Sequence, residues 1–340
     1  MKAAAVARPN ALDERLLVVR PAADTFGDAR VRDLPSLLRR GDLVVVNDAR
    51  TIPASLAGSG PDGAVLEARL AGQTGANTFR AVLFGAGDWR TRTEDRPAPP
   101  PVRGGDALVL VGLAARVVRV LGPSARLVEI AFEADIGAMW RAIHARGMYV
   151  QYAYTEAVRE AWDAQTPFAG EPWASETPSA GRPLRFELLA ALTAHGVELA
   201  RVTHAAGLSS TGDPTLDLAL PLPERYRVPR ETVEAIARAK GAGGRVVAVG
   251  TTVVRALEGA TLAAGGALVA GEGITDLVVG PGFRPRVVDG LFTGLHERGA
   301  SHFSLLAAFA PRPLLTRAYD HAEREGYLGH ELGDSCLLLD

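Results

Sequence analysis

The stretch Gly243 to Ala260, GGRVVAVGTTVVRALEGA, constrains the fold more than any other part of the chain. Val246, Val247, Ala248 and Val249 form an unbroken apolar run, which suits a parallel strand covered on both faces. Gly250 breaks that run, and the segment reads as a buried strand passing into a helix through a Gly-Thr-Thr turn. Thr251 or Thr252 is expected to cap the helix. Free N–H groups there, with the positive end of the helix dipole, offer a site for an anion or a hydroxyl-rich ligand. Arg255 lies three residues beyond Thr252, shares its helix face and can reach the same ligand. The same pattern also serves as a plain βα connection, so alone it specifies a fold before a function.

Neighbouring segments extend the pattern. Phe186 to His195 reads as an amphipathic helix closed by Gly196, and Val197 to Val202 as a strand delivering Thr203 and His204 to its carboxyl end. Pro229 opens a further helix that Gly241 ends. Helix, strand, helix, strand in this order implies right-handed crossovers in a mostly parallel sheet. Leu43 to Val46 is another strand, preceded by a short helix from Asp33 with Gly41 at its end. It finishes in Asn47-Asp48-Ala49-Arg50, where ligands of open α/β sheets usually sit. Asn47 and Asp48 have equally the composition of an Asx turn. A lone histidine such as His204 is commonly a hydrogen-bonded structural residue, although its strand-end position suits a functional one. Later segments read as a strand from Ile274 to Val279, a run from Val287 to Thr293 reaching His296, and helices over Ser301 to Phe309 and Ala318 to Glu325.

Between Ala57 and Phe132 the texture changes to five short alternating runs separated by Gly, Pro, Asp and Asn. Such runs predict a small antiparallel barrel or sandwich. The expected fold is therefore α/β: a mostly parallel sheet domain over residues 1–56 and 133–340, carrying an inserted small antiparallel β-barrel domain over 57–132. A chain of 340 residues suits two domains. Thr91 to Pro101, Pro-rich and charged, reads as a flexible loop. The aromatic-rich stretch from Tyr152 to Gly181 reads as a loop over a cleft.

Composition excludes some functions. No apolar run approaches the ~20 residues of a membrane helix, and the start lacks a signal-peptide core, so a cytoplasmic protein is expected. Cys336 is the only cysteine, which excludes an internal disulfide and a Cys-rich metal site. A net charge of −2 gives no sign of a basic nucleic-acid domain, leaving only small groups such as Arg39, Arg40 and Arg50, or Arg284 and Arg286.

Five segments, in order, resemble one family. VVVNDARTIPASL at Val44 to Leu56, TPSAG at Thr177 to Gly181, GGRVVAVGTTVVRALE at Gly243 to Glu258, TDLVVGPGFRPRVVDGL at Thr275 to Leu291 and AYDHAEREGY at Ala318 to Tyr327 are similar to the S-adenosylmethionine:tRNA ribosyltransferase-isomerases of queuosine biosynthesis. The resemblance implies an α/β domain with an inserted β-barrel. It also implies transfer and isomerisation of the ribosyl group of S-adenosylmethionine onto the aminomethyl group of a 7-deazaguanine base in tRNA, with release of adenine and methionine. A proton beside the sulfonium must leave in that chemistry, and His204 is the base expected. Thr251, Thr252 and Arg255 are the expected fixed donors toward developing charge. Asn47, Asp48 and Arg50 are candidates to hold the ribose hydroxyls or the methionine end. Ser179, Gly181 and Asp289, in the matched motifs, and His296, kept in a segment that otherwise departs from the family pattern, complete the candidate substrate-binding set. S-adenosylmethionine acts as ribosyl donor, tRNA is the implied acceptor, and no metal is expected, since no spaced ligand cluster is present.

Four segments depart from the family pattern. PTAGLHF becomes Pro178-Ser179-Ala180-Gly181-Arg182-Pro183-Leu184. HVG-x-GTF survives only as His204 to Ser210, and MHSE as Pro221-Leu222-Pro223-Glu224. NFHLPKST is Gly294 to Ser301, with His296 kept and Gly299 where a lysine stands. Losing several polar contacts at once predicts a changed acceptor site and slow turnover of a standard precursor tRNA. A same-fold S-adenosylmethionine enzyme with a different, small-molecule acceptor is the alternative, and a non-catalytic binding protein the third reading.

Overall fold

The computed structural model describes residues 1–298 and 301–340. A nine-stranded sheet runs in the order Gly271–Thr275, Glu224–Val228, Glu198–His204, Leu43–Asn47, Val246–Val249, Gly290–Gly294, Ser335–Leu338, Arg15–Arg20, Thr25–Arg30. Glu198–His204, Leu43–Asn47, Val246–Val249 and Gly290–Gly294 are mutually parallel. Both flanks add antiparallel neighbours, so the sheet is mixed, with its parallel part at the centre.

The unbroken apolar strands sit at this centre because each sheet face is covered. Leu43, Val45, Val246 and Ala248 point into one core with Val253, Leu257, Ala235 and Leu314 of three helices, Thr251–Ala263, Arg230–Gly241 and Arg312–Arg324. Val44, Val46, Val247 and Val249 point into the other, with Leu188 and Leu192 of the helix Phe186–His195. Period-2 alternation thus sends apolar side chains to both faces. The Thr251–Ala263 helix is buried at Val253, Val254 and every position from Arg255 to Thr261. Gly259 lets it approach the Gly271–Thr275 strand, since a Cβ there would stand 2.4 Å from Thr275 Oγ1.

The insertion is a closed antiparallel barrel of six strands, Ser55–Ser59, Val65–Gln73, Thr78–Phe84, Ala107–Leu110, Leu113–Val120 and Leu127–Phe132. Five match the alternating runs. The sixth, SLAGS, carries one large apolar residue and no alternation, so it was not predicted; it begins two residues before the expected boundary. Leu208, Leu216, Leu220 and Leu222 from the sheet domain, with Met139 and Ile143 of the helix Ile136–Arg146, pack into the barrel core.

Three local expectations are corrected. Thr91 to Pro101 is tethered rather than free: Arg96 is buried, donating to Glu67 at 2.6 Å and to the carbonyls of Gly85 and Gly87 at 2.7 and 2.9 Å. Glu67 also accepts from Arg69 and Ser55, so the buried carboxylate has partners on three sides. The short helix after Asp33 spans only Leu34–Leu37, well before Gly41. The Ile274–Val279 strand is instead Gly271–Thr275. Beyond Thr275 the backbone finds side-chain partners in place of a ladder: Leu277 N–H donates to Thr275 Oγ1 and Arg255 donates to the Leu277 carbonyl. Among the described residues no helix is long and apolar enough to cross a membrane.

Candidate active site

The carboxyl ends of the parallel strands border a cavity of about 780 Å³, which Arg92, Thr93 and Glu94 of the inserted segment also line, a size typical of ligand sites (~300–1,000 Å³). Gly250, Thr251 and Thr252 form part of its wall. Neither threonine caps the helix, contrary to expectation. Gly250 is the N-cap, at φ 90° and without a side-chain hydrogen bond, so the first N–H groups of a thirteen-residue helix lack a side-chain cap at the cavity.

Asn47 holds this geometry together. Its Nδ2 donates to the His204 carbonyl at 3.0 Å and to Thr252 Oγ1 at 3.2 Å, while its Oδ1 accepts from the N–H groups of His204 and Ala49. One buried amide therefore ties two strand ends to the helix start, and the Asx-turn reading of this residue is part of the observed structure.

Arg255 reaches the cavity from one turn further along, but it is only 6% exposed. It forms an ion pair with Glu224, itself buried, and donates to the Leu277 carbonyl at 2.9 Å. Burial lowers its pKa to about 10, which leaves it charged at neutral pH. Glu224 also accepts the Gly207 N–H at 2.5 Å and lies 3.4 Å from His204 Nε2. His204 is fully buried beneath this pair and lines no part of the cavity. Burial, then the positive charge of Arg255, holds it neutral, and neither ring nitrogen makes a hydrogen bond among the described residues. A base must touch the proton it takes. The His204 role expected from sequence does not fit this placement, because the side chain points under the sheet end.

The opposite wall is aromatic and acidic. Tyr152 and Tyr154 stack at 6.1 Å, and His330 lies 4.6 Å from Tyr154. The Tyr152 hydroxyl donates to Glu176, which accepts the Ser209 N–H at 3.0 Å as well. Burial, then the nearby charge of Glu331, raises Glu176 to about 7. At the far side His296 Nε2 meets Thr293 Oγ1 at 2.9 Å and stacks on His302 at 5.1 Å. Burial, then the neighbouring His302 and His330, keeps His296 neutral.

A cavity built this way, on a sheet with an inserted barrel, occurs in a chain whose residues 2–338 match the family model described as queuosine biosynthesis protein. The chain belongs to the queuosine biosynthesis protein family. It is 36% identical over 340 residues to the S-adenosylmethionine:tRNA ribosyltransferase-isomerase of Thermus thermophilus, covering 97% of this chain and 94% of that one. The enzyme of the same name from Azoarcus sp. is 38% identical over 333 residues, 95% of this chain and 90% of that one. The crystal structure of the S-adenosylmethionine tRNA ribosyltransferase of Thermotoga maritima superposes with a TM-score of 0.53 at 25% identity, covering 99% of this chain and 96% of that one.

Among the family-matched residues, Ser179, Thr251, Thr252, Arg255 and His296 meet at the cavity. Others lie elsewhere. Asp48 is buried against Thr203, whose hydroxyl donates to it at 2.6 Å, and Arg50 is exposed with its N–H on the Glu171 carbonyl. Gly181 is a packing glycine, where a Cβ would stand 2.8 Å from the Phe168 ring. Asp289 sits at the amino end of the Val246–Val249 strand, accepting the Val246 N–H and pairing with Lys240 at 3.1 Å. That end is opposite the cavity. Asn47, Asp48, Arg50, Gly181, Asp289 and His204 are not among the residues that line the cavity.

Of the segments that depart from the family pattern, Gly207 to Ser210, Pro221 and Gly294 to Glu297 line the cavity, while other residues of these segments are packed away from it. Arg182 pairs with the buried Glu14 at 2.6 Å, and Pro183 and Leu184 are buried. Leu222 belongs to the barrel core. Gly299 lies outside the described residues. Neither Pro183 nor Leu222 lines the cavity. Sequence reasoning missed Tyr152, Tyr154, Glu176, His302 and His330 as members of the site. For the first three, the aromatic-rich loop over a cleft was the available signal; nothing local marked the two histidines.

Proposed function

We propose that the chain transfers and isomerises the ribosyl group of S-adenosylmethionine onto the aminomethyl group of a 7-deazaguanine base in tRNA, releasing adenine and methionine. It is a transferase and isomerase of queuosine biosynthesis. The observation that carries the reading at this site is the meeting of a helix start without a side-chain cap and the Arg255–Glu224 pair with the aromatic wall of Tyr152, Tyr154 and His330 in one cavity.

Each part answers a demand of the reaction. A flat purine or deazapurine stacks on the aromatic wall, where tyrosine and histidine faces supply area at low entropy cost. The Thr251 and Thr252 hydroxyls and nearby N–H groups receive the ribose hydroxyls or the methionine carboxylate. Arg255, fixed in its pair with Glu224, is a preorganised positive charge beside groups that become negative as bonds break. Residues 1–56 and 133–340 serve as the catalytic domain, and the inserted barrel domain of 57–132 adds Arg92, Thr93 and Glu94 to the cavity. The protein acts in the cytoplasm on tRNA, without a metal. The small-molecule alternative has no support from the relatives, which carry the name of the tRNA enzyme.

Incubation of the protein with S-adenosylmethionine and precursor-bearing tRNA is expected to release adenine, followed by chromatography. Release should require the aminomethyl deazaguanine, so the same tRNA with guanine at that position should give none. Equal release with both tRNAs, or none with either, contradicts the reading.

A further inference from the structure

We propose that Glu176 is the base that removes the proton beside the sulfonium, with the Tyr152 hydroxyl and the Ser209 N–H holding its carboxylate in place. The assignment rests on the function proposed above and supplies the catalytic group that His204, buried under the sheet end, does not. Glu176 lines the cavity although little of it is exposed, so its carboxylate borders the substrate space while bulk water is largely kept away. It is not ion-paired with any cation among the described residues. Arg159, a guanidinium in its surroundings, is paired with Glu331 at 2.5 Å. Both donors to Glu176 are neutral groups, and both bind Oε1. Its two donors lower its basicity, but burial outweighs them and no arginine pairs with it, whereas Glu67 is buried too and is held below its usual range by Arg69 and Arg96.

The charged and titratable groups around it point the same way. Tyr152 and Tyr154 face it from its own side of the cavity, both held protonated by burial. Glu331 faces it from the C-terminal segment and Ser209 from the loop after His204; Arg69 of the barrel lies over the Tyr152 ring at 5.7 Å. Burial and the Glu331 charge bring the carboxyl to about 7, the range in which a general base works best at neutral pH. In the step itself, the C–H bond on the carbon joining sulfonium and ribose breaks, its electron pair stays on that carbon beside the positive sulfur, and the proton forms an O–H bond on Glu176. That pair then forms a double bond to the adjacent ring carbon as the bond from that carbon to the ring oxygen breaks; the ring oxygen forms a carbonyl with the carbon bearing adenine, and adenine leaves with the electrons of its bond to the sugar and with the proton of the acid, which restores the carboxylate. No oxidant or other reactant is needed.

The test is adenine release from S-adenosylmethionine and precursor tRNA by the wild type and by Glu176→Gln, Glu176→Asp and Tyr152→Phe. Gln can still accept both hydrogen bonds, so Glu176→Gln is expected to fold, to lose at least about 100-fold in kcat and to keep its KM for S-adenosylmethionine within about threefold. Glu176→Asp should recover part of the loss. The wild-type kcat should fall below an acid limb near pH 7, because the carboxylate is the active form. Tyr152→Phe removes a donor to that form and should move the limb to higher pH, a shift readable even if Glu176→Gln folds poorly. A Glu176→Gln enzyme within threefold of wild type, a loss confined to KM, or an unmoved limb in Tyr152→Phe overturns the assignment. A wild type that releases no adenine overturns the functional reading itself, and the assignment with it.

Discussion

Replacing Arg255 with Ala is expected to lower the melting temperature by roughly 10 °C, from a loss of about 3–5 kcal/mol. Position alone, one turn into a helix facing a ligand, predicts a binding residue whose removal leaves stability unchanged. Burial reverses that expectation. Arg255 is 6% and Glu224 7% exposed, and the substitution would leave the Glu224 carboxylate beside neutral His204 with no cation against it. The carbonyls of Leu277 and Thr275 would lose a donor as well. Since the cost is mostly that of a stranded charge, the double substitution of Arg255 and Glu224 by Met and Leu should be less destabilised than Arg255→Ala alone. Calorimetric melting of the single and double variants checks this. A single variant that melts with the wild type would return Arg255 to a pure ligand-binding role.

Glu258→Ala should destabilise the protein by about 3–6 kcal/mol, because several buried donors lose their acceptor at once. Glu258 is fully buried, and its Oε1 receives the N–H groups of Arg286, Val287 and Val288 at 3.1, 2.9 and 3.0 Å. Those residues lead into the Gly290–Gly294 strand, which carries Thr293 to the cavity. The damage should therefore reach the site as a raised KM for S-adenosylmethionine. Glu258→Gln keeps an acceptor without the charge and should fall between the two. Denaturant midpoints of the three proteins decide it: an unchanged midpoint for Glu258→Ala would mean that the segment finds other acceptors.

What could be read from the sequence was what has a period or a local signature. The all-apolar Val246–Val249 strand, the glycine after it and the long buried helix follow from hydrophobic pattern, and five barrel strands from alternation. Ser55–Ser59 escaped because small residues carry no such pattern. Among the outer strands, Glu224–Val228 has no counterpart in the sequence reading and the edge strand Gly271–Thr275 only a shifted one, since ERYRV and GEGIT are polar and pair antiparallel. Within the site, strand ends were legible and side-chain directions were not. His204 and Asn47 were placed at the correct ends, yet one lies under the sheet and the other spans three elements. Glu224 and Arg255 come from different elements, and Tyr152 meets Glu176 across an irregular loop. Such pairs have no spacing to reveal them.

The central claim, that this cavity joins a ribosyl unit from S-adenosylmethionine to a base in tRNA, is tested most directly on the tRNA itself. Precursor-bearing tRNA incubated with the protein and S-adenosylmethionine is digested to nucleosides and analysed by mass spectrometry. The account predicts that the aminomethyl deazaguanosine gains a five-carbon, ribosyl-derived unit while adenine and methionine appear in equal amounts. An unchanged nucleoside, with S-adenosylmethionine intact or its ribosyl group found on another molecule, would contradict it.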